Sequence, residues 1–311
     1  LNDVKLHIDS VENQEKEIWN NLRTFGVEIE FIAPNDGSTT EAEMNQYFQR
    51  LAQDFGTSGT SGDLISPFSL SVSRASYSDC DSTKWRLKPD QSLSSYGNGY
   101  AMELVSPVLQ GDNGVQQLQH MLKALERIGA RVNKSCGLHI HVGVSDWKIK
   151  EFRNLFKRYI KFESAIDSVM PNSRRGRNNE YAIPILGITG LKQSFEAIDD
   201  CRSARQISSL LRTRYTKLNI KSFWKHGTVE FRHHSGTTDV EKIMNWLKFC
   251  LTMCQAADQH RAIKVKEDDN RLDYTDKIAL MLKGLSKVKN SLVDNDVRKY
   301  FIKRRRQLCT S

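Results

Sequence analysis

Successive side chains of a β-strand point to opposite faces, so a strict alternation of apolar and polar residues commits a segment to a half-buried strand. Four segments of this chain alternate in that way. In residues 25–32, Val27, Ile29 and Phe31 alternate with Gly26, Glu28 and Glu30. In residues 100–108, Met102 and Leu104 flank Glu103. In residues 137–144, Leu138, Ile140 and Val142 alternate with His139, His141 and Gly143, and in residues 227–233, Val229 and Phe231 alternate with Glu230 and Arg232. If the four strands share one sheet whose apolar face is covered by helices, the acidic, imidazole and guanidinium side chains converge on the other face.

That face then carries Glu28, Glu30, Glu103 and Glu230. Like charges so close raise one another's pKa and destabilise the fold unless cations offset them, and hard divalent ions with oxygen ligands do so directly. Imidazole also ligates Mn²⁺ and Zn²⁺, so the ligand types leave the metal open. Taken singly, Glu-x-Glu on a strand is usually a solvated edge and Glu230-x-Arg232 a surface ion pair. The joint pattern, with each member opposite an apolar face and flanked by Gly26, Gly137 or Gly227, argues for a site.

The remaining chain reads mostly as helices. Charged residues 11–22 predict a helix before the first strand, and residues 41–53 a short one. Residues 56–82 are rich in Gly, Ser and Thr around a β-prone stretch at 64–77, which predicts a hairpin or mobile insertion. Apolar spacing predicts a helix over 115–128 ended by Gly129. Ser145 and Asp146 are the expected N-cap of a long helix reaching Met170. An Arg/Asn-rich loop follows at 171–181, then helices at 203–212 and 239–258, a strand near 215–220, and a helical tail from Tyr274 to Lys303-Arg304-Arg305-Arg306.

Of the 311 residues, 39% are hydrophobic and 27% charged, which excludes disordered and fibrous classes. The longest apolar stretch, 182–191, is short and broken by Pro184, Gly187 and Gly190, so no membrane helix is expected. Leu1-Asn2-Asp3-Val4 has neither the basic nor the apolar region of a signal peptide, which makes the cytoplasm the expected compartment. The six cysteines form no C-x-x-C pair and are expected reduced, with Cys250 and Cys254 buried on one helical face. The net charge of +9 is spread along the chain and permits a polyanionic partner without requiring one.

Five segments, in order, resemble the amidoligases of the glutamine synthetase and glutamate–cysteine ligase superfamily: Phe25 to Phe31, Trp85 to Leu93, Glu103 to Pro107, Ser135 to Val142, and Gly227 to Arg232. The resemblance implies an α+β fold in which a curved, mainly antiparallel sheet with helices on one face cups ATP and two or three Mg²⁺ or Mn²⁺ ions. The matched segments span about residues 25–240; the chain's own pattern is read as a catalytic domain over 1–273 followed by a helical extension over 274–311 that lies outside the resemblance. Carried over by position, Glu28, His139 and Glu230 would hold the ion beside the nucleotide phosphates, and Glu30 and Glu103 the ion nearer the acyl substrate. Arg232 would face the transferring phosphoryl group, and Trp85 and His141 would contact the nucleotide. Arg174 would take the substrate carboxylate, Glu180 and Tyr181 would shape a flap, and Asp90 would contact substrate.

The implied reaction joins a carboxylate and an amine. A carboxylate becomes reactive to amines once an oxygen is made a good leaving group, here by phosphorylation, and water must be kept from the acyl phosphate. Residues 56–82 and 171–181 are the expected lids. A polyanionic or protein substrate would suit the basic surface. Two rival readings use the same residues: a metal-dependent hydrolase built on the Glu/His cluster, and a non-catalytic nucleic-acid-binding protein built on Arg174-Arg175-Gly176-Arg177 and the terminal basic run.

Overall fold

Val27, Ile29, Phe31 and Ala33 are at most 1% exposed, and they occupy one face of the strand that their alternation predicts. The computed structural model describes residues 16–34, 73–74, 83–94, 99–185, 190–259, 263–264 and 272–309. The helix expected at 41–53 and the insertion at 56–82, apart from two strand residues, lie outside the described residues. Of the helix expected at 11–22, residues 16–20 are described and helical. The chain divides into two compact units: Leu1–Asn20, Thr24–His139 and Gly236–Ile243 form the first, and Asn21–Arg23, Ile140–Ser235 and Met244–Ser311 the second.

In the first unit, β1 (Phe25–Pro34) pairs antiparallel with β4 (Gly99–Val105), which pairs antiparallel with β3 (Arg86–Pro89); β3 pairs in parallel with the short β2 (Ser73–Arg74). The strand order is β2-β3-β4-β1-β5, and β5 (Gly137–Gly143) contributes residues 137–139 here. The register sets Glu30 opposite Glu103, and Glu103 opposite Lys88. Helix α1 (Gly111–Arg127) adds Val115, Leu118, Met121, Leu122 and Leu125 to the core. It ends as its sequence predicts. Gly129 takes a φ of +68° and donates to the Glu126 carbonyl while Ala130 N–H donates to that of Leu125, the paired bonds that a left-handed residue allows at a helix C-terminus.

In the second unit the order is β5-β7-β6, with β7 (Thr228–Ser235) antiparallel to β6 (Leu218–Asn219). Helix α2 (Ile149–Asp167) lays Tyr159 against the apolar face of β7, 6.0 Å from Phe231 between ring centroids. Its start differs from expectation. Glu151 accepts from Lys148 N–H at 2.9 Å, whereas Asp146 is 2.7 Å from the Arg23 guanidinium and Ser145 donates to the Gly227 carbonyl. Gly227 ends the short α5 (Ser222–His226) with a φ of +67°, and a Cβ there would lie 2.1 Å from Ser145 Oγ. Helices α3 (Leu191–Asp200), which sequence reasoning missed, and α4 (Ala204–Leu211) precede β6; Ser203 caps α4 by accepting from Gln206 N–H.

Helix α6 (Val240–Asp258) buries both Cys250 and Cys254, as their spacing predicts. Helices α7 (Tyr274–Leu285) and α8 (Asn295–Cys309) belong to the core of the second unit rather than to an appendage beginning at residue 274. Phe301 of α8 packs 5.6 Å from Phe249 of α6, and Leu292 N–H donates to the buried Thr252 hydroxyl. Among the described residues, no helix is long and apolar enough to cross a membrane. The α+β class and the mainly antiparallel pairing match the sequence-based expectation.

Truncation after Asp273 removes Ile278, Met281, Leu282, Leu285, Val297 and Phe301, all at most 3% exposed. At roughly 1.5–3 kcal/mol for each buried side chain, the loss is comparable to the roughly 5–15 kcal/mol that holds a domain folded. The truncated chain is expected to lose cooperative thermal unfolding by circular dichroism; a sharp transition at the full-length temperature would show these helices to be dispensable.

Candidate active site

The polar face of the first unit gathers one tight cluster. Glu30 projects from β1, Glu103 from the paired position on β4, and His139 from β5. Each offers a ligand atom within 4.8 Å of the others. Glu30 and His139 are 8% and 3% exposed. Gly137 N–H donates to Glu30 Oε2 at 2.5 Å, which holds that carboxylate from behind. His139 Nδ1 lies 3.1 Å from Glu28 Oε2 and its Nε2 3.6 Å from Glu30 Oε1. A proton on Nδ1 donated to Glu28 leaves the Nε2 lone pair facing Glu30, the orientation that carboxylates impose on metal-binding imidazoles.

Burial, then the neighbouring carboxylates of Glu28, Glu30 and Asp90, push Glu103 well above the usual carboxylate range, with only Lys88 opposing them. Two carboxylates and an imidazole gathered where negative charge is crowded are a donor set suited to a divalent cation. Asp90 is fixed beside this face by accepting from Ser92 N–H and Ser92 Oγ at 2.9 and 2.7 Å. Trp85 corrects the sequence reading. It is 1% exposed and immediately precedes Arg86, the first residue of β3, which puts it on the core side with Leu87, away from any nucleotide on the polar face.

The second unit assembles its own group. Glu230, 5% exposed on β7, accepts from Asn219 Nδ2 at 2.7 Å and pairs with Arg232 Nη1. Arg232 Nε donates to the Tyr181 carbonyl at 3.2 Å, and its guanidinium lies 5.9 Å from the centre of the Tyr215 ring. His141 Nδ1 is 2.9 Å from Thr228 Oγ1, and its Nε2 is 3.9 Å from Glu230 Oε1. Sequence reasoning missed Asn219, Tyr215 and Lys88. Lys88 shares strand parity with Arg86 and could have been read, whereas Asn219 and Tyr215 reach the site through long-range pairing that leaves no local pattern.

Arg174 is 2% exposed in the 3₁₀ turn Asn172–Arg174, near enough to help push His233 and His234 down. A guanidinium so enclosed meets a substrate carboxylate only if the turn moves. Glu180 is exposed. The 171–181 loop is strapped down rather than lid-like: Arg175 donates to the carbonyls of Met170 and Leu308, and Gly176 N–H to Asp167.

The sequence profile described as "Putative amidoligase enzyme" matches residues 21–254. The chain belongs to the amidoligase family. No curated protein matches the chain in sequence. Among solved structures, a bifunctional glutathione synthetase from Pasteurella multocida is similar at 10% identity and a TM-score of 0.45, over 95% of this chain and 48% of that one. The chain thus spans about half the length of that enzyme. A novel glutamine synthase homolog is similar at 14% identity and a TM-score of 0.46, over 97% of this chain and 70% of that one.

A buried network lies on the helix side of β7. Burial pushes Glu163 up from 4.5 to about 7 and His233 down from 6.5 to about 4. A raised acid contributes stability that is full below its unfolded value and lost as pH rises through its folded one; a depressed histidine contributes stability that is lost as pH falls through its folded value. The Glu163 contribution therefore declines between pH 4.5 and about 7, and in Glu163→Gln it is absent. The stability of the natural chain minus that of Glu163→Gln is expected to fall from pH 5 to 7.5 by on the order of 3 kcal/mol. Urea titrations at the two pH values measure it, and a constant difference would contradict the assignment.

Proposed function

We propose that this amidoligase is an ATP- and divalent-metal-dependent carboxylate–amine ligase working through an acyl phosphate. The observation that carries the reading is the Glu30, Glu103 and His139 cluster, whose crowded charge suits a bound Mg²⁺ or Mn²⁺ in a chain of this family. Such ions, two or three in number, would neutralise phosphate oxygens and orient the γ-phosphoryl group for transfer. Glu30 and Glu103, with Nε2 of His139, would hold an ion on the acyl side, while Glu28 and, from the second unit, Glu230 are the carboxylates proposed to serve the nucleotide phosphates. His141, fixed by Thr228, would contact the nucleotide, and Asp90 the acyl substrate.

The chain's own residues supply position and charge. Arg232, held by Glu230 and the Tyr181 carbonyl, would meet the equatorial oxygens of the transferring group. The substrate carboxylate oxygen attacks the γ-phosphorus and ADP leaves; the amine then attacks the acyl carbon, loses a proton, and phosphate departs with the former carboxylate oxygen. Arg174 would bind a substrate carboxylate after rearrangement of its turn, and Glu180 with Tyr181 would flank the entry. No observation favours the hydrolase or the nucleic-acid-binding reading.

Isotope transfer tests the reaction. With a panel of ¹⁸O-labelled carboxylates, hydroxylamine as the amine, and Mg²⁺-ATP, the expected products are a hydroxamate, ADP and phosphate carrying one ¹⁸O. Release of AMP and pyrophosphate would replace the acyl phosphate by an adenylate, and metal-dependent amide cleavage without nucleotide would favour a hydrolase.

Glu103→Gln removes a carboxylate that burial and its neighbours disfavour. The variant without metal is expected to be more stable at pH 8 by on the order of 1 kcal/mol, and to lose the rise in melting temperature that Mn²⁺ gives the natural chain. An undiminished Mn²⁺ response would remove Glu103 from the ligand set.

Arg232→Lys keeps the charge but not the planar fork. Because phosphoryl charge redistributes in the transition state, turnover is expected to fall about a hundredfold with little change in the KM for ATP. Full recovery at saturating Mg²⁺ would instead assign Arg232 to neutralising Glu230.

A further inference from the structure

Two carboxylates one turn apart on α2, Glu163 and Asp167, reach from the helix to backbone amides of a single loop. Asp167 Oδ2 accepts from Gly176 N–H at 3.1 Å, and Glu163 Oε1 accepts from Ile185 N–H at 3.1 Å. Between those anchors Ile183 is bonded to the segment before β6, its N–H donating to the Tyr215 carbonyl at 2.8 Å and its carbonyl accepting from Lys217 N–H at 2.9 Å. It also turns the Tyr181 carbonyl onto Arg232 Nε and sets the Tyr181 ring edge-on to Tyr215, 5.3 Å away. Tyr215 is the same ring over which the Arg232 guanidinium lies.

The carboxylates are themselves held from behind. Lys217, fully buried, places Nζ 2.6 Å from Asp167 Oδ1 and 3.9 Å from Glu163 Oε1. His233 Nε2 lies 2.6 Å from Asp167 Oδ1, and the Tyr159 hydroxyl 2.7 Å from His233 Nδ1. With His233 neutral, one arrangement satisfies all of them: Tyr159 O–H donates to Nδ1, and Nε2–H donates to Asp167. Burying so many ionisable groups costs several kcal/mol per charge before pairing, and apolar residues of the same volume would fill the space as stably. Apolar residues would not accept from Gly176 and Ile185.

We propose that Glu163 and Asp167 are positioning residues that act through the loop from Gly176 to Ile185 to hold the Arg232 guanidinium in place. The inference rests on the reading of Arg232 as a phosphoryl contact for its catalytic consequence, and on geometry alone for its structural one. In the competing view the network only stabilises the second unit, and its loss would loosen that unit throughout without a specific effect on Arg232.

The test compares the full-length natural chain with Glu163→Ala and Glu163→Gln, whose amide oxygen still accepts from Ile185 N–H. Hydrogen exchange and the rate of Arg232 modification by p-hydroxyphenylglyoxal are both read by mass spectrometry. In Glu163→Ala, exchange across residues 176–185 is expected to rise about tenfold or more, with β7 and α6 unchanged. Arg232 should react several-fold faster, and Glu163→Gln should behave as the natural chain on both readouts. An opened loop with an unchanged Arg232 rate would overturn the proposal, as would faster exchange throughout the second unit in both variants. Should Glu163→Ala not fold, Glu163→Asp keeps the charge beside Lys217 while withdrawing the acceptor by one methylene, and the same outcomes apply. Turnover of Mg²⁺-ATP separates the two readings: loss in Glu163→Ala should disappear in an Arg232→Ala background, with the KM for ATP within about twofold. If Arg232→Ala alone leaves turnover intact, the phosphoryl role fails, and the modification rate still decides the positioning one.

Discussion

Burial of Val27, Ile29 and Phe31 on one face of β1 governs the first unit, because with a period of two it leaves Glu28 and Glu30 only the other face. A slip of one residue would exchange three apolar side chains, each worth roughly 1.5–3 kcal/mol when buried, for two carboxylates in the core. Register is therefore strongly specified, and register is what sets Glu30 directly across from Glu103. Carboxylates opposite one another in a sheet are destabilising in themselves. The fold accepts that local cost on the face where a cation would remove it, and the upward push on Glu103 is its electrostatic signature.

The second unit obeys the same alternation on β7 with one departure. Val229 and Phe231 are buried as expected, but the next residue of that parity is His233, fully buried and hydrogen-bonded to Tyr159 and Asp167. A polar residue in an apolar row is tolerable only when every polar atom finds a partner, and here both ring nitrogens do. The pairing ties the core side of β7 to the end of α2, and through Asp167 to the loop that follows. On the opposite side Glu230 is held by Asn219 and Arg232. One strand thus carries the buried His233–Asp167 pair on one face and the Glu230–Arg232 pair on the other.

Where sequence and structure agree, the signal was local. The strands at β1, β5 and β7, the end of α1 at Gly129 and the burial of Cys250 and Cys254 all follow from periodicity or from residues within a turn of one another. The disagreements share a different origin. Ser145 and Asp146 looked like an N-cap, yet Asp146 is claimed by Arg23, more than a hundred positions away in sequence. Trp85 is expected at the nucleotide, yet it is 1% exposed in the core. The basic loop at 171–181 looked mobile by composition, yet the Asp167 carboxylate of α2, the Leu308 carbonyl of α8 and the adjoining Met170 carbonyl tie it down.

By itself, the sequence determined which residues share a strand face, because side-chain parity is a property of the extended backbone and needs no partner. That was enough to put Glu28 with Glu30, His139 with His141, and Glu230 with Arg232 on the polar face of their own strands. Only the tertiary structure decided what supports them. Asn219 behind Glu230, the Tyr181 carbonyl and Tyr215 ring around Arg232, and the Glu163, Asp167 and Lys217 network beneath the loop all come from elements distant in sequence. Such contacts depend on how chain segments return to one another, a choice made by the packing of whole elements, and no local pattern of residues encodes it.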